Sequence, residues 1–478
     1  MKLINPYNFV PLGNRGPIFN QWHKTKDHHR FGEETYSGHL RLIISTVTPI
    51  FIPSRLPEDV DIEIVKKDGE EKTKTTFLRF HHNGQEMGRQ PTFPGTSLKG
   101  MIRAVFEALT DSCMVLFAET YGRYTYPAPK YKNQTCNSTN GLCPACATFG
   151  TIQGNDLLLQ GKVRFSDAIG TDTSIRQGEW NLKILSSPKP EKSPAFYAKD
   201  GSTGNRPRGR KFYFHHNPEK VNINNYDYLA QKGHTLQNVK INQLLPEDVQ
   251  LTATLDFTSL TEDQLAFLLF AVELGYEPVN ENGVAGRKYS LGHKIGMGKP
   301  RGLGSITIAI DTGKPDEFFI SKGSARYTTL HSVSPDLPSQ INRLRELAKK
   351  KLENNPAVFQ RLTDILSLNK GQEGTIQYAG REKLVLLEDG TLVQPSQVGK
   401  EVISEVEPFP INDPLPSGEQ VDGVIIKSEG INIIIKSVDG RLFRRSKSVQ
   451  HAKAAMIAVG LEVTLKDKTV YLRGKAPS

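Results

Sequence analysis

No stretch of this 478-residue chain approaches the ~18 consecutive apolar residues that a membrane-spanning helix requires. The opening, MKLINPYNFVPL, lacks the apolar core of a secretory signal. The expectation is a cytoplasmic protein with no membrane partner. Carboxylates are in deficit: 51 Asp and Glu against 61 Lys and Arg leave a net charge of +10. That sign favours polyanionic partners. The excess is also uneven, with RPRGRK (Arg206, Arg208, Arg210, Lys211) and Lys349–Lys351 as concentrated blocks. The hydrophobic fraction, 37%, suffices for real cores, and the length suggests about two or three domains.

Cysteine is scarce, with four in all, and three of them fall together as C-x6-C-P-x-C: Cys136, Cys143 and Cys146. Clustered thiols in a cytosolic chain point to a metal rather than a disulfide. A C-x2-C knuckle offers two sulfurs from one tight turn, which suits tetrahedral zinc in a structural role. A fourth ligand is needed. Cys113, His23, His28, His29, His81 and His82 are all open for it, and the bland alternative is reduced, unliganded thiols.

Elsewhere the pattern alternates between strand and helix. His39 to Pro53 reads as a strand, and Pro53 to Lys74 as a charged loop. After Pro94-Gly95, Leu98, Ile102, Val105 and Leu109 form one helical stripe. Thr96 or Ser97 can cap that helix, whose amino end is a natural phosphate seat. Lys99 and Arg103, four apart, share a face near that end; the plain alternative is a solvated helix face. Gly161 to Ala168 (GKVRFSDA) reads as a strand. Residues 170–245 read as a long polar insertion. Within it Arg206 to His216, RPRGRKFYFHH, alternates cations with Phe212, Tyr213 and Phe214, a mix that suits phosphates and stacked bases. The same block also reads as an edge strand with a charged border. Val249 to Ser259 is a strand, and Thr261 with Gln264 makes a capping box for a helix whose buried stripe is Leu265, Leu268, Leu269 and Val272.

Next comes SLGHKIGMGKPRGLGS, Ser290 to Ser305. It sets Gly292, Gly296, Gly298, Gly302 and Gly304 among His293, Lys294, Lys299 and Arg301. Glycine permits positive φ and close approach, and the cations seek phosphate. The loop can lie against a polyanion; alternatively it is an ordinary glycine-rich turn before the strand Gly304 to Asp311. The order strand, helix, strand, strand, helix, strand predicts an α+β core on the ferredoxin-like (RRM-like) βαββαβ plan, spanning 1–330 with large insertions.

Beyond it, 331–370 reads as a helical connector, with Ile341 to Leu366 as one helix carrying basic residues outside. A weak repeat follows in 371–407 and 417–478, with hairpin turns at Asp389-Gly390 and Asp439-Gly440. Pro408, Pro410, Pro414 and Pro416 stiffen the link between the copies. Such units resemble small OB or cold-shock barrels. Neither copy has a clear aromatic stacking trio, so docking is as open to them as RNA binding.

Four features occur in one order: TPIFIP ending a strand, FPGTSLKGMIR, the CPACATFG knuckle followed by GKVRFSDA, and IGMGKPRGLGS. Together they resemble the RAMP superfamily, the repeat-associated proteins that form the RNA-binding backbone of CRISPR effectors. The knuckle with its FG segment is similar to backbone subunits of type III systems. PYNFVPL and RGRKFYFHH are similar to one branch of type III-associated RAMP proteins. The resemblance covers about residues 1–315. It implies an antiviral ribonucleoprotein complex in which such subunits stack along a guide RNA (crRNA), grip its backbone and leave its bases to pair with target RNA. The grip then falls to Thr96, Ser97, Lys99 and Arg103; to Arg208, Arg210 and Lys211; and to His293, Lys294, Gly296, Gly298, Lys299, Arg301, Gly302 and Gly304. The implied partners are crRNA, target RNA and other type III effector subunits.

Several such subunits also cut target RNA, using an aspartate in the loop after the first strand with metal support, for which magnesium is the candidate. Measured back from PGTS, that place falls near Thr75–Arg79, which holds no carboxylate. Asp61 and Asp68 are the nearest candidates, with solvated loop charges as the alternative. The leading expectation is therefore a non-catalytic subunit, and a target-RNA endoribonuclease is second. A stand-alone processor of precursor crRNA is third: its acid–base residue would have to be His293, and the knuckle and the backbone-type helix argue against it.

Overall fold

Alternating burial along YSGHLRLIIST makes Tyr36–Thr46 a strand (β1), with Leu40, Leu42 and Ile44 fully buried. In this computed structural model the described residues are 2–12, 32–53, 65–67, 70–72, 74–75, 79–81, 89–113, 136, 141–153, 157–170, 176–183, 208–223, 238–274, 291–312, 317–323, 336–376, 385–387, 389–393, 420–429, 432–437, 442–446, 462–466 and 469–472. They fall into two compact units, Met1–Leu392 and Val393–Ser478.

In the first unit β1 is followed by helix α1 (Gly95–Leu109), strands β2 (Val163–Phe165), β3 (Ala168–Gly170) and β4 (Gln250–Leu260), helix α2 (Glu262–Glu273) and strand β5 (Ser305–Asp311). Strands β5 and β4 flank β1, and β2 and β3 both pair with the far side of β4. Every one of these pairings is antiparallel. With β2 and β3 counted as one interrupted strand, this follows the strand–helix–strand–strand–helix–strand order read from the sequence, with a further strand, Arg89–Phe93, before α1 and paired with β3. The stripe Leu98, Ile102, Val105 and Leu109 is buried on α1, and Leu265, Leu268, Leu269 and Val272 on α2. The two helices meet through Phe106 and Phe267, ring centroids 6.4 Å apart. The capping box forms: Thr261 Oγ1 accepts from the Gln264 amide and Gln264 Oε1 from the Thr261 amide.

Boundaries differ from the sequence reading where a local bond outweighs periodicity. Regular pairing of β1 stops at Thr46 rather than Pro53, because Val47–Pro49 turn the chain; the Pro49 carbonyl accepts the Gly304 amide at 2.9 Å. The strand read as Gly161 to Ala168 is split at Ser166–Asp167. The insertion read as irregular holds strands, Arg176–Lys183 paired with Asn238–Leu244, and Arg210–Tyr213 paired with Tyr7–Val10. The connector is two helices, α3 (Leu337–Leu352) and α4 (Pro356–Leu366). Pro356 cannot continue α3 but suits the first position of α4.

The cations of α3 do not all face water. Arg345 pairs with Glu273 of α2 at 2.7 Å, Lys351 with Asp263 at 2.6 Å, and Arg343 with Glu262. Glu273 is 1% exposed and also accepts the Ile310 amide, so the Arg345 pair ties α3, α2 and β5 together. Gly374–Ile376, from the first repeat, lies parallel between Leu3–Ile4 and Val221–Ile223. The expected turn forms at Asp389-Gly390, with Gly390 at φ 91° and Asp389 Oδ1 accepting the Thr391 amide.

The second unit has strands β6 (Gln420–Glu429), β7 (Asn432–Ser437), β8 (Leu442–Ser446), β9 (Glu462–Lys466) and β10 (Thr469–Leu472). They form one antiparallel sheet in the order β8-β7-β6-β9-β10. Ile425, Ile435, Phe443, Val463, Leu465 and Val470 are buried. Asp439-Gly440 and the four linker prolines lie outside the described residues. Among the described residues no helix is long and apolar enough to cross a membrane.

Among the described residues of the first unit three imidazoles are buried. His215 bridges Ser305 Oγ and the Gly292 carbonyl, His293 Nε2 bonds the Val272 carbonyl, and His216 Nδ1 accepts the Gln372 amide. Burial pushes His216 and His293 down to about 4 and His215 well below its ordinary value. An unfolded imidazole titrates near ~6.5. Between that pH and about 4 only the unfolded chain takes up these protons, so the stability they contribute is complete above ~6.5 and erodes as pH falls. The unfolding free energy from urea titrations, measured from neutral pH downward, should therefore drop by ~1.4 kcal/mol per pH unit for each proton. His293→Gln should flatten that slope by about one proton; an unchanged slope would show that His293 is not buried neutral.

Candidate nucleic-acid interface

Helix α1 begins two residues earlier than a Thr96 cap requires, and three earlier than a Ser97 cap. Pro94 is the capping residue, and no side chain of the helix caps it. Instead Asp167 reaches across from between β2 and β3, its Oδ1 accepting the Gly95 amide at 2.7 Å. Gly95 is required there, since a Cβ would lie 2.3 Å from the Phe165 carbonyl oxygen. The carboxylate thus takes part of the expected phosphate seat. Thr96 and Ser97 remain exposed beside it.

Strand Arg210–Tyr213 runs beside this helix end. Phe212 and Phe214 are buried, at 9% and 4% exposure, so they are core rather than free stacking faces. Tyr213 packs edge-on against Tyr7, and Lys211 Nζ sits 4.1 Å from the Tyr7 ring centroid and 4.6 Å from that of Tyr213.

The glycine-rich loop closes the third side. Gly296, Gly298, Gly302 and Gly304 all have positive φ, between 73° and 90°. A Cβ on Gly304 would sit 2.0 Å from the Ile295 carbonyl oxygen, and one on Gly302 2.4 Å from that of His216. These glycines are therefore demanded by close backbone packing inside the fold. Lys294 Nζ donates to the carbonyls of Gly302 (2.7 Å) and Leu303 (3.0 Å), holding the loop shut. Burial, then Lys299, keeps Lys294 well below the usual lysine range.

These three segments enclose a cleft of about 740 Å³. Of the sequence-predicted residues, Thr96, Ser97, Lys211, His293, Lys294, Gly296 and Lys299 line it. Apolar side chains of Ile52, Met101 and Ile295 continue the wall, as does Leu366 at the end of α4, and among the described residues no carboxylate takes part. Desolvation with repulsion from Lys299 lowers Lys211 to about 8, and burial lowers Lys299. The cleft is a positive, partly dry recess.

Other predicted residues serve elsewhere. Arg103 Nε bonds Glu107 at 2.8 Å and its Nη1 the Gly150 carbonyl at 2.9 Å. Arg210 bonds Glu107 at 3.0 Å and the carbonyls of Ser112 and Cys113. Arg208 donates to the Leu386 carbonyl. Lys99 lies away from the cleft, its ordinary value lowered by burial and by Arg103. Arg301 closes the single turn Lys299–Arg301, its amide bonded to the Gly298 carbonyl. His293, though on the cleft wall, is 2% exposed and bonded to Val272. Asp61 and Asp68 lie outside the described residues. Asp167 and Tyr7 went unassigned in the sequence, although both sit inside motifs quoted there.

Cys113 joins the knuckle as the fourth thiol. Cys113, Cys136, Cys143 and Cys146 are all buried, with sulfurs within 4.8 Å of one another. Cys113 Sγ lies 3.6 Å from Cys146 Sγ, 3.7 Å from Cys136 Sγ and 3.6 Å from Cys143 Sγ. A tetrahedron of thiolates at ~2.3 Å from a metal has edges of ~3.8 Å, so the donor set fits a metal ion. The Cys143 amide points at Cys136 Sγ (3.0 Å) and the Cys146 amide at Cys143 Sγ (3.5 Å), contacts that favour thiolate. Hydrogen bonds from Cys113 and Cys136 hold Cys143 well below its ordinary value.

Because the loop glycines answer to packing, Gly304→Ala should destabilise the protein by about 2–4 kcal/mol, from φ strain and overpacking. The loss should be the same with and without RNA in a urea titration. A neutral substitution would show that the loop is not packed in this way.

Among curated proteins none matches the chain. Of the solved structures, the crystal structure of Csc2 from Thermofilum pendens is similar at 10% identity, over 74% of this chain and 88% of that one, with a TM-score of 0.28. That likeness is too weak to argue from. The RAMP superfamily profile, by contrast, matches residues 43–307, from within β1 to the start of β5, and so takes in α1, the cysteine cluster, the strand Arg210–Tyr213 and the glycine-rich loop. On that match over more than half its length, the chain belongs to the RAMP superfamily.

Proposed function

We propose that the chain is a crRNA-binding backbone subunit of a type III CRISPR ribonucleoprotein effector, one that helps recognise target RNA in antiviral defence. One observation carries this reading: three segments distant in sequence, at Thr96, Lys211 and Lys299, meet on one cleft whose lining, among the described residues, holds three lysines and no carboxylate. Cations without acids suit a phosphate backbone, which they position without reading sequence. Guide pairing would then supply specificity. Membership of the RAMP superfamily supports the reading, and crRNA, target RNA and neighbouring effector subunits are the partners it implies.

On its strand order we take the first unit's core to be ferredoxin-like. The neighbours β8-β7-β6-β9-β10 suit an open OB-like barrel for the second unit. We assign zinc to the four-cysteine cluster, since four thiolates in a tight tetrahedral set suit it best and leave no open position for catalysis. The subunit is read as non-catalytic. No observation favours a cutting role for Asp61 and Asp68, and magnesium enters only with that role. His293, buried and bonded to Val272, lends no support to precursor processing.

Single-stranded RNAs of different sequence should bind alike, with log affinity falling by about 0.7 per contacted phosphate per log unit of salt. Lys211→Ala combined with Lys299→Ala should weaken all of them together and make that slope shallower by roughly 1.4. Affinity indifferent to salt, or to the double variant, would sink the backbone grip at this cleft. Elemental analysis should find one zinc per chain, and Cys113→Ser should lose the metal and lower the Tm. Metal-free protein that keeps its full Tm would refute the zinc assignment.

A further inference from the structure

Gly100 is the sixth residue of α1, a helix of 15 residues, and it lines the cleft. Every other glycine discussed so far in the two motifs has a reason inside the fold. A Cβ would meet a backbone oxygen at 2.3 Å on Gly95, 2.4 Å on Gly296, 2.4 Å on Gly302 and 2.0 Å on Gly304. At Gly100 a Cβ would meet nothing within 4 Å. Its backbone is ordinary helix, where glycine is the poorest residue after proline. The fold therefore gains nothing from glycine here, and the helix loses by it. What glycine does at Gly100 is leave the cleft wall bare.

The recess beside it is not a phosphate track alone. A track needs cations on an open surface, whereas this cleft sets Lys211 and Lys299 against the apolar Met101, Val105 and Ile295. Its volume of about 740 Å³ is that of a small-molecule site, typically ~300–1,000 Å³. An anionic group joined to a flat, largely apolar one matches this lining.

Resting on the RNA-binding reading above, we propose that the cleft seats one whole nucleotide, its phosphate drawn to Lys211 and Lys299 and its base against the bare helix wall at Gly100. The nucleotide is either a residue of a bound strand or a free nucleoside monophosphate; the chemistry recognised is the same.

The test uses the full chain, a 12-residue oligouridylate, the same oligomer with every base removed, and 5′-UMP. Gly100→Leu projects a side chain into the open recess, and Gly100→Ala does so to a lesser degree; neither should lower the Tm. Wild-type protein should bind the oligouridylate at least tenfold more tightly than the abasic strand. Gly100→Leu should bind both at the abasic level, with Gly100→Ala in between. Competition by 5′-UMP would identify the occupant as free nucleotide, and failure to compete would identify it as a strand residue; both are the proposed site. A Gly100→Leu protein that keeps the full preference for bases overturns the proposal. So does a wild-type protein that binds the two strands equally. If Lys211→Ala with Lys299→Ala still weakens both strands in those cases, the backbone grip stands and only the nucleotide seat falls. If that double variant also changes nothing, the RNA-binding reading of the cleft falls with it.

Discussion

The candidate interface depends on one close backbone approach. The glycine-rich loop lies so tightly against Phe51 and His216 that no side chain fits at Gly296 or Gly302, and it folds so tightly on its own Ile295 that none fits at Gly304. The loop's own amides bond outward into that neighbourhood: Gly304 to the Pro49 carbonyl and Met297 to the Phe51 carbonyl. Lys294 then closes the loop from inside through the carbonyls of Gly302 and Leu303. Burial among neutral carbonyls disfavours the charged form of Lys294, which is why its ordinary value is lowered so far. The Gly302 carbonyl also accepts from Thr48 Oγ1 at 2.9 Å, so the loop is pinned from two sides. The cleft floor is thus rigid, and Lys299 projects from a turn whose backbone has few alternatives.

Charge in the cleft is deliberately unbalanced. Lys299 repels both Lys211 and Lys294, burial lowers all three, and among the described residues no carboxylate lines the wall to offset them. Elsewhere the protein pairs its cations readily: Arg345 with Glu273, Arg103 and Arg210 with Glu107. An anion entering the cleft relieves repulsion that the free protein carries, so binding should rest on interactions that are stronger in the complex than in the unbound state. Asp167, at the amino end of α1, opposes this locally by accepting the Gly95 amide. The lysines rather than the helix end are therefore the main anion-binding feature.

Much of this was legible in the sequence where a period or a cap carries it. The stripes of α1 and α2, the capping box at Thr261 and the turn at Asp389-Gly390 all follow from local chemistry. The split of the connector was written in Pro356, which a reading by periodicity alone passed over. What could not be read was how cations divide their labour. Arg103 and Lys99 share a helix face with one spacing, yet Arg103 is bonded to Glu107 and Gly150. Arg210 and Lys211 are consecutive in a strand and so point to opposite sides; one enters the core and the other the cleft. Phe212 and Phe214 share a face with each other and not with Tyr213, and for that reason are buried. Cys113 lies far in sequence from the knuckle, so only the fold could choose it over the histidines.

The cysteine cluster and the cleft are mechanically joined, and Glu107 is the joint. Its carboxylate takes Arg103 on one oxygen and Arg210 on the other. Arg103 continues to the Gly150 carbonyl and lies 3.8 Å from Cys146 Sγ. Arg210 continues to the carbonyls of Ser112 and Cys113. Both ends of the cluster are thus tied to the strand that carries Lys211, through side chains that are mostly out of water. Because buried charges left without partners are costly, Arg103, Glu107 and Arg210 hold together or fail together. A metal that fixes Cys113 and Cys146 would in this way also fix the strand Arg210–Tyr213. The long sequence separation between knuckle and basic block would then disguise one structural element: a thiolate-held clamp that sets the position of a cleft lysine.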